Sequence, residues 1–128
     1  MMQKFLASLA LSEKSLSNVS KFEIAPTIEP NSVAEFDHDT GVVRGGAFNI
    51  RERDWFEYMD YFGQNKVILA VLFIIVHEIG HSVFGRSDFK ANEFMKRTIN
   101  RTYGRNLHWP SRLTLVSIIE MIVMEKLI

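Results

Sequence analysis

Two histidines and a glutamate near the middle of the chain have the spacing of a site that could activate water. His77 and His81 are four residues apart, so on a helix their imidazoles lie one above the other on a single face and can bind one metal ion. Glu78 directly follows the first histidine. Water on a metal ion loses its proton readily, and a neighbouring carboxylate can accept that proton. These residues therefore predict a metal centre with Glu78 as its general base.

The residues around this cluster are almost all apolar. Residues 67–76 (VILAVLFIIV) form an unbroken apolar run that leads into His77, and Ile79 and Val83 continue it. A buried ionisable group needs a partner, and a metal ion supplies one. The alternative interpretation, two surface histidines beside a salt-bridging glutamate, would have polar neighbours. The apolar surroundings therefore favour the metal site.

The spacing resembles the HExxH motif of zinc peptidases, and residues 74–83 resemble the wider consensus of that motif at every position. The order of elements is similar to that of the minigluzincins, compact zinc peptidases that look like the catalytic core of larger membrane gluzincins. The resemblance extends over about residues 33–101, and only its HExxH part is specific. It implies a zincin-like fold, Zn²⁺ as cofactor and peptides or unfolded proteins as substrates.

A catalytic zinc ion takes three protein ligands and keeps one position open, so a third ligand is needed. The metzincin pattern would place a histidine six residues after His81, but Ser87 is there. A carboxylate is therefore expected, as in the gluzincins. Glu93 is favoured, because a chain reversal near Arg86 and a rise of about 1.5 Å per residue would place it level with a metal ion between the two histidines.

Asp88 is the alternative third ligand. Residues 88–94 (DFKANEF) resemble the ExxA(D/N)xF segment of several HExxH families, with Asp88 at the position of the ligand glutamate. The Ala-Asn-x-Phe part of this segment also resembles HExxH proteins that are paired with phage or stress regulators. Whichever of Glu93 and Asp88 is not the ligand is expected to cap a helix or to lie next to the ligands.

Peptide hydrolysis at such a site also needs a donor for the negative charge that forms in the transition state. Tyr103 and His108 are the candidates from the sequence, and Arg105 lies between them. As metal ligands, the two remaining histidines are not favoured. His38 lies in an acidic turn and His108 in a loop, so each is expected at the surface.

Length and composition limit the other possibilities. The 128 residues suit one domain, residues 1–128, with one core. The 15 basic and 15 acidic residues balance, so no nucleic-acid partner is indicated. The absence of cysteine excludes disulfides and is compatible with the cytoplasm. The apolar run before His77 is about half of what a bilayer crossing needs, so a core helix is expected rather than an intramembrane protease.

The hydrophobic pattern predicts an α+β fold with a hairpin and several helices. The zincin resemblance implies that a small antiparallel sheet containing this hairpin packs on the HExxH helix. An extended piece over residues 21–28 precedes the hairpin, whose strands 33–36 and 42–50 flank a turn at residues 37–41. In the second strand, Gly45 and Gly46 indicate a bulge, a plain bend or a close approach by another backbone, which a substrate could supply. Helices are predicted over about residues 3–19, 51–62, 66–84, 88–102 and 111–127.

The last predicted helix carries an apolar stripe, which is most simply part of the core. The alternative is a homo-oligomer that forms through this helix, with Ile118, Ile119, Ile122 and Val123 at the interface.

Two functions follow. The first is a zinc-dependent endopeptidase with Glu78 as general base. The second is a catalytically silent metal-binding module with a zincin fold, which acts in regulation or protein interaction.

Overall fold

The computed structural model describes residues 2–46 and 52–128, which form an α+β structure. The predicted end of the second hairpin strand at Ile50 and the predicted helix start at Arg51 lie outside the described residues. The elements are α1 (Met2–Ser8), a 3₁₀ turn (Glu13–Leu16), β1 (Lys21–Ala25), β2 (Ala34–Phe36), β3 (Val42–Gly46), α2 (Glu52–Phe62), α3 (Gln64–Phe84), α4 (Asp88–Tyr103) and α5 (Leu115–Met124).

Helix α3 is the centre of the structure and contacts α2, α4, α5, β2 and β3. It begins directly after Gly63 and ends at Phe84, where Gly85 adopts a φ of 75° and its N–H binds the carbonyl of His81. The predicted end of this helix at residue 84 is confirmed. Its length and composition would allow α3 to cross a membrane, but 61% of its most apolar segment is buried inside the protein. Such burial is typical of a core helix.

The three strands form a mixed sheet in the order β1-β3-β2. β2 and β3 are antiparallel, which confirms the predicted hairpin, whereas β1 and β3 are parallel. The prediction of an antiparallel sheet is therefore wrong for β1. Residues 26–33 lead from β1 to the far edge of the sheet, so β3 returns between the two earlier strands and runs in the direction of β1. Hydrophobic alternation cannot predict this order, since it reports which face is buried and not which strands are neighbours.

Gly45 allows β2 and β3 to approach closely. It lies opposite Ala34, and a Cβ atom at this position would be 2.7 Å from the Cβ of Ala34 and 2.7 Å from the carbonyl oxygen of Val33. A side chain would therefore push the two strands apart. The close backbone approach predicted from the glycine pair is present, and the approaching backbone is β2 of the same chain.

The first and last predicted helices are shorter in the structure than in the prediction. The predicted helix over residues 3–19 is interrupted after Ser8, because serine hydroxyls bind nearby backbone groups in place of the helical pattern. Ser8 donates to the carbonyl of Phe5, and Ser12 accepts from the N–H of Ser15. The last helix begins only after Thr114, whose side chain caps it.

The apolar stripe of α5 belongs to the core. Ile118 is 1% exposed, and Ile119 and Ile122 are 0% exposed. These side chains pack against the rest of the protein. An oligomer interface could therefore use them only if α5 moved away from α3. Val123, which is 44% exposed, is the one residue of the predicted interface that lies at the surface of the described structure.

Helix α4 packs closely against the end of α3, and this packing brings its first residue to the histidines. A Cβ atom at Gly80 would lie 2.9 Å from the Cα of Ala91, so glycine is what lets the two backbones come together. The connection between the helices is short. Ser87 caps α4 by accepting a hydrogen bond from the N–H of Lys90, which confirms the predicted start of this helix.

Candidate metal centre

The two histidines of α3 face each other as their spacing predicts. Nε2 of His77 lies 3.1 Å from Nε2 of His81, and the two rings are perpendicular with centroids 4.7 Å apart. With a carboxylate oxygen of Glu78, their ligand atoms lie within 4.8 Å of one another. This group could hold a metal ion.

The end of α3 orients the second histidine. Nδ1 of His81 lies 2.6 Å from the carbonyl oxygen of Gly85. A carbonyl only accepts hydrogen bonds, so Nδ1 is the donor. In the neutral ring this leaves the lone pair on Nε2, which is the atom that faces His77. A backbone carbonyl that fixes the tautomer in this way is a common feature of histidines that bind metals.

Asp88 completes a set of three electron-pair donors. Its Oδ1 atom lies 2.9 Å from Nε2 of His81 and 3.6 Å from Nε2 of His77. Ligands of a tetrahedral metal ion at about 2.0–2.1 Å are roughly 3.3 Å from one another, so these separations fit such an ion. Atoms that carry lone pairs repel at this range unless a proton or a metal cation lies between them. Burial, and next the charge of His81, lower the pKa of His77, which disfavours a proton in that place.

Glu78 is buried beside the two rings. Its side chain is 11% exposed, and its Oε2 atom lies 3.6 Å from Nε2 of His77. The backbone N–H of Phe36 in β2 donates a hydrogen bond to the carboxylate. Burial nevertheless raises the pKa of Glu78 to about 8, and the negative charges of Asp88 and Glu35 add to this increase. A carboxylate with a pKa near neutrality can both accept and return a proton at physiological pH.

The raised pKa of Glu78 predicts how the stability of the metal-free protein depends on pH. Its folded pKa of about 8 exceeds the ordinary value of 4.5, so the folded state holds a proton that the unfolded state has lost. The contribution of Glu78 to stability is therefore fully present below the unfolded pKa and is lost as pH rises through the folded pKa, by about 2 kcal/mol between roughly pH 6.5 and pH 9. Denaturation of chelator-treated protein across this range measures the loss.

The matched control for this measurement is Glu78→Gln, which removes the titrating group. The lowered pKa of His77 affects stability in the opposite direction and only as pH falls below its ordinary value, so it does not interfere in the chosen range. The variant should lose most of the pH dependence. Equal slopes for the two proteins would show that Glu78 is not held in its neutral form.

Glu93, the favoured third ligand from the sequence, lies elsewhere. Its carboxylate pairs with Lys96 at 3.6 Å, and its side chain lines a separate groove with Phe84 and Phe94. The prediction considered height along the helix axis but not rotation about it. Glu93 comes five residues after Asp88, which places it about 140° around the helix from that residue. The structure therefore brings Asp88, and not Glu93, to the histidines.

The predicted transition-state donors also lie away from the cluster. Tyr103 ends α4, about 22 Å along the helix axis from Asp88, and its ring contacts Phe73 with centroids 6.2 Å apart. His108 binds Glu125 through Nδ1 at 2.7 Å, and Arg105 contacts the same carboxylate. The structure brings none of these three residues to His77 and His81.

An open depression of about 390 Å³ is lined by two residues of the cluster, Glu78 and His81, and one of its walls is the hairpin. It contains a histidine, His38, that the sequence predicts only as a surface residue. Although its side chain is exposed, partial desolvation by the neighbouring residues, and next the charge of Arg86, lower the pKa of His38. Local sequence carries no signal for this position, because it depends on how the hairpin packs against α3. The lining residues are Ile28, Glu29, Glu35, Phe36, Asp37, His38, Asp39, Glu78, His81 and Arg86.

The cluster thus combines the convergent donor atoms of His77, His81 and Asp88 with the buried carboxylate of Glu78 and an open depression. Away from this cluster, the described residues contain no group of three histidine or acidic side chains that could hold a metal ion. Comparisons of the chain with protein-family models, with curated proteins and with solved structures found no match.

Proposed function

We propose that this chain is a zinc-dependent endopeptidase with a zincin-like fold, in which His77, His81 and Asp88 are the metal ligands and Glu78 is the general base. The observation that carries the proposal is the convergence of Nε2 of both histidines and Oδ1 of Asp88 at 2.9–3.6 Å, with Glu78 buried beside them. A solvated surface cluster would not explain why α3 places an ionisable carboxylate in its buried part.

Zinc is the metal that best suits this donor set. Two imidazole nitrogens and one carboxylate oxygen form a ligand set of catalytic zinc sites, in which a fourth position stays open. The depression beside Glu78 and His81 leaves room for a fourth ligand on that side. When bound, zinc makes a water molecule acidic enough to lose its proton near neutral pH and polarises the carbonyl of a substrate.

Glu78 is placed to move that proton. Its carboxylate is next to His77 and receives a hydrogen bond from the backbone of Phe36, so it is held at the floor of the depression. It would accept the proton of the attacking water and then deliver it to the nitrogen of the departing amine. The positive charge of a bound cation would lower the pKa of Glu78 from its value in the metal-free protein, which would favour the ionised base.

The substrate is proposed to be a peptide or an unfolded segment of a protein. The depression is open rather than enclosed, and the hairpin forms one of its walls. An extended chain could therefore enter without a large opening motion.

Elemental analysis of purified protein tests the metal centre directly. The wild-type protein should contain about one zinc ion per chain, and the double variant His77→Ala/His81→Ala should contain almost none, because it lacks two of the three ligands. The same zinc-loaded preparation is then incubated with a library of peptides, with and without a chelator.

The results separate the two functions that the sequence suggests. Cleavage that the chelator stops supports the peptidase. Bound metal without cleavage of any peptide supports the silent metal-binding module. Equal metal content in the wild-type protein and the double variant would refute the metal centre itself.

A further inference from the structure

His38 lies on the rim of the depression, close to the candidate metal ligands. Its ring is 6.3 Å from the ring of His81 and is inclined to it by 73°. It also packs edge-on against Phe36, with the centroids 4.9 Å apart. The side chain is exposed, so neither contact is needed to fill the core. Its position instead places an imidazole next to the open side of the cluster.

The turn that carries His38 is held firmly. The carboxylate of Asp37 accepts hydrogen bonds from the backbone N–H groups of Asp39 (2.9 Å) and Thr40 (3.3 Å). The other carboxylate oxygen of Asp37 contacts Arg44 at 3.3 Å, and Arg44 is only 12% exposed. These bonds define the turn on either side of His38, so its backbone is fixed before any substrate binds.

The same short segment also contacts the proposed base. Phe36 donates its backbone N–H to Glu78, and His38 follows two residues later. The hairpin therefore sets the distance between the base on α3 and the imidazole on the rim. Both groups line the depression, so a substrate carbonyl bound there could contact both of them.

We propose that His38 is the hydrogen-bond donor for the negative charge that forms on the carbonyl oxygen of the scissile peptide, an inference that rests on the proposed peptidase function. The water oxygen bonds to the carbonyl carbon while its proton passes to Glu78. The electron pair of the double bond moves to the carbonyl oxygen, which accepts the N–H of His38. When the double bond forms again, the C–N bond breaks and the nitrogen takes the proton from Glu78.

An imidazole is well suited to donate a hydrogen bond to the scissile carbonyl oxygen. An imidazole carries at least one N–H whether it is neutral or charged, so the role does not depend on its protonation. Arg86 also lines the depression, but within the described residues no hydrogen bond or ion pair fixes its guanidinium. Catalytic donors act best when they are already oriented, and the ring of His38 packs against Phe36 in a turn whose backbone is held by hydrogen bonds.

The test compares His38→Ala and His38→Gln with His108→Ala, a matched loss of an exposed histidine far from the cluster. For a peptide found to be cleaved, kcat of His38→Ala should fall by about 10²–10³-fold with little change in KM, the usual effect of losing one such donor. Zinc content should stay the same. The Gln variant should recover part of the loss through its side-chain amide, and His108→Ala should match the wild type.

A second measurement does not depend on turnover. A phosphonate with the sequence of the cleaved peptide mimics the charged transition state, and its affinity for zinc-loaded His38→Ala should fall by about 10-fold or more. The affinity for the substrate peptide itself is measured with the inactive Glu78→Gln protein and with the double variant Glu78→Gln/His38→Ala. These two affinities should be nearly equal.

Four outcomes would overturn the inference. His38→Ala could keep the wild-type kcat, which leaves the peptidase intact and removes His38 from it. It could lose zinc, which would make His38 a metal ligand. Arg86→Ala could show the loss of kcat while His38→Ala does not, which would assign the role to Arg86. Absence of any cleavage by the wild-type protein would instead refute the proposed function, and this inference with it.

Discussion

Replacing Glu78 by Gln is expected to lower kcat for peptide cleavage by about 10³-fold, within the range that general acid–base catalysis contributes. The amide is nearly the same size as the carboxylate, and it can still be buried beside His77 and Phe36. It cannot accept a proton from water, so the attacking group is not formed. Since Glu78 is not one of the proposed ligands, the zinc content should remain that of the wild-type protein. Steady-state kinetics and elemental analysis on the same preparation measure both quantities.

Glu93→Gln is the matched control for this variant. It makes the same chemical change on the neighbouring helix, at a side chain that pairs with Lys96 outside the cluster. Its kcat should equal that of the wild type. Full activity of Glu78→Gln would remove Glu78 as the base, and an equal loss in both variants would mean that the effect of the substitution is not specific to the cluster.

Replacing Asp88 by Ala is expected to weaken zinc binding by at least about 100-fold, because even the loss of a group behind a ligand costs 10–100-fold. Oδ1 of Asp88 is the third atom that converges with the two histidine nitrogens. Two neutral imidazoles would then hold the ion without any negative charge among its ligands. Competition with a chromogenic chelator gives the dissociation constant of each variant.

Glu93→Ala decides between the two carboxylates that the sequence leaves open. The structure places Glu93 at Lys96, so its loss should leave the zinc affinity within about 3-fold of the wild type, a change of less than 1 kcal/mol. Asp88→Glu keeps the charge and should retain part of the affinity. The reverse result, with zinc lost in Glu93→Ala and kept in Asp88→Ala, would restore the original assignment and contradict the geometry of the cluster.

Local features of this chain could be predicted because they depend on residues close in sequence. The spacing of His77 and His81 places both rings on one face of any helix that contains them. Gly85 predicts the end of α3, since glycine tolerates the positive φ that ends helices. The turn at residues 37–41 predicts the hairpin in the same way. Each of these predictions concerns a few neighbouring residues, and the structure confirms each of them.

Features that depend on several elements could not be predicted in this way. The choice between Asp88 and Glu93 requires the rotation of α4 about its axis, which is set by the contact of Ala91 with Gly80. The parallel pairing of β1 with β3 depends on how residues 26–33 cross the sheet. His38 comes close to His81 only because the hairpin packs on α3. For Asp88 the only signal in the sequence is the resemblance of residues 88–94 to the ExxA(D/N)xF segment. The other two arrangements have no signature in the residues that take part in them.

The sequence alone thus determined the chemistry available to this protein: two imidazoles one helical turn apart, a carboxylate beside them and an apolar helix around them. The tertiary structure decided which further side chains lie next to these groups: Asp88, which is one of the proposed metal ligands, and His38, which lies on the rim of the depression. The reason is physical. Helical periodicity is set by backbone geometry within a few residues, whereas the meeting of side chains on separate elements is set by packing across the whole core.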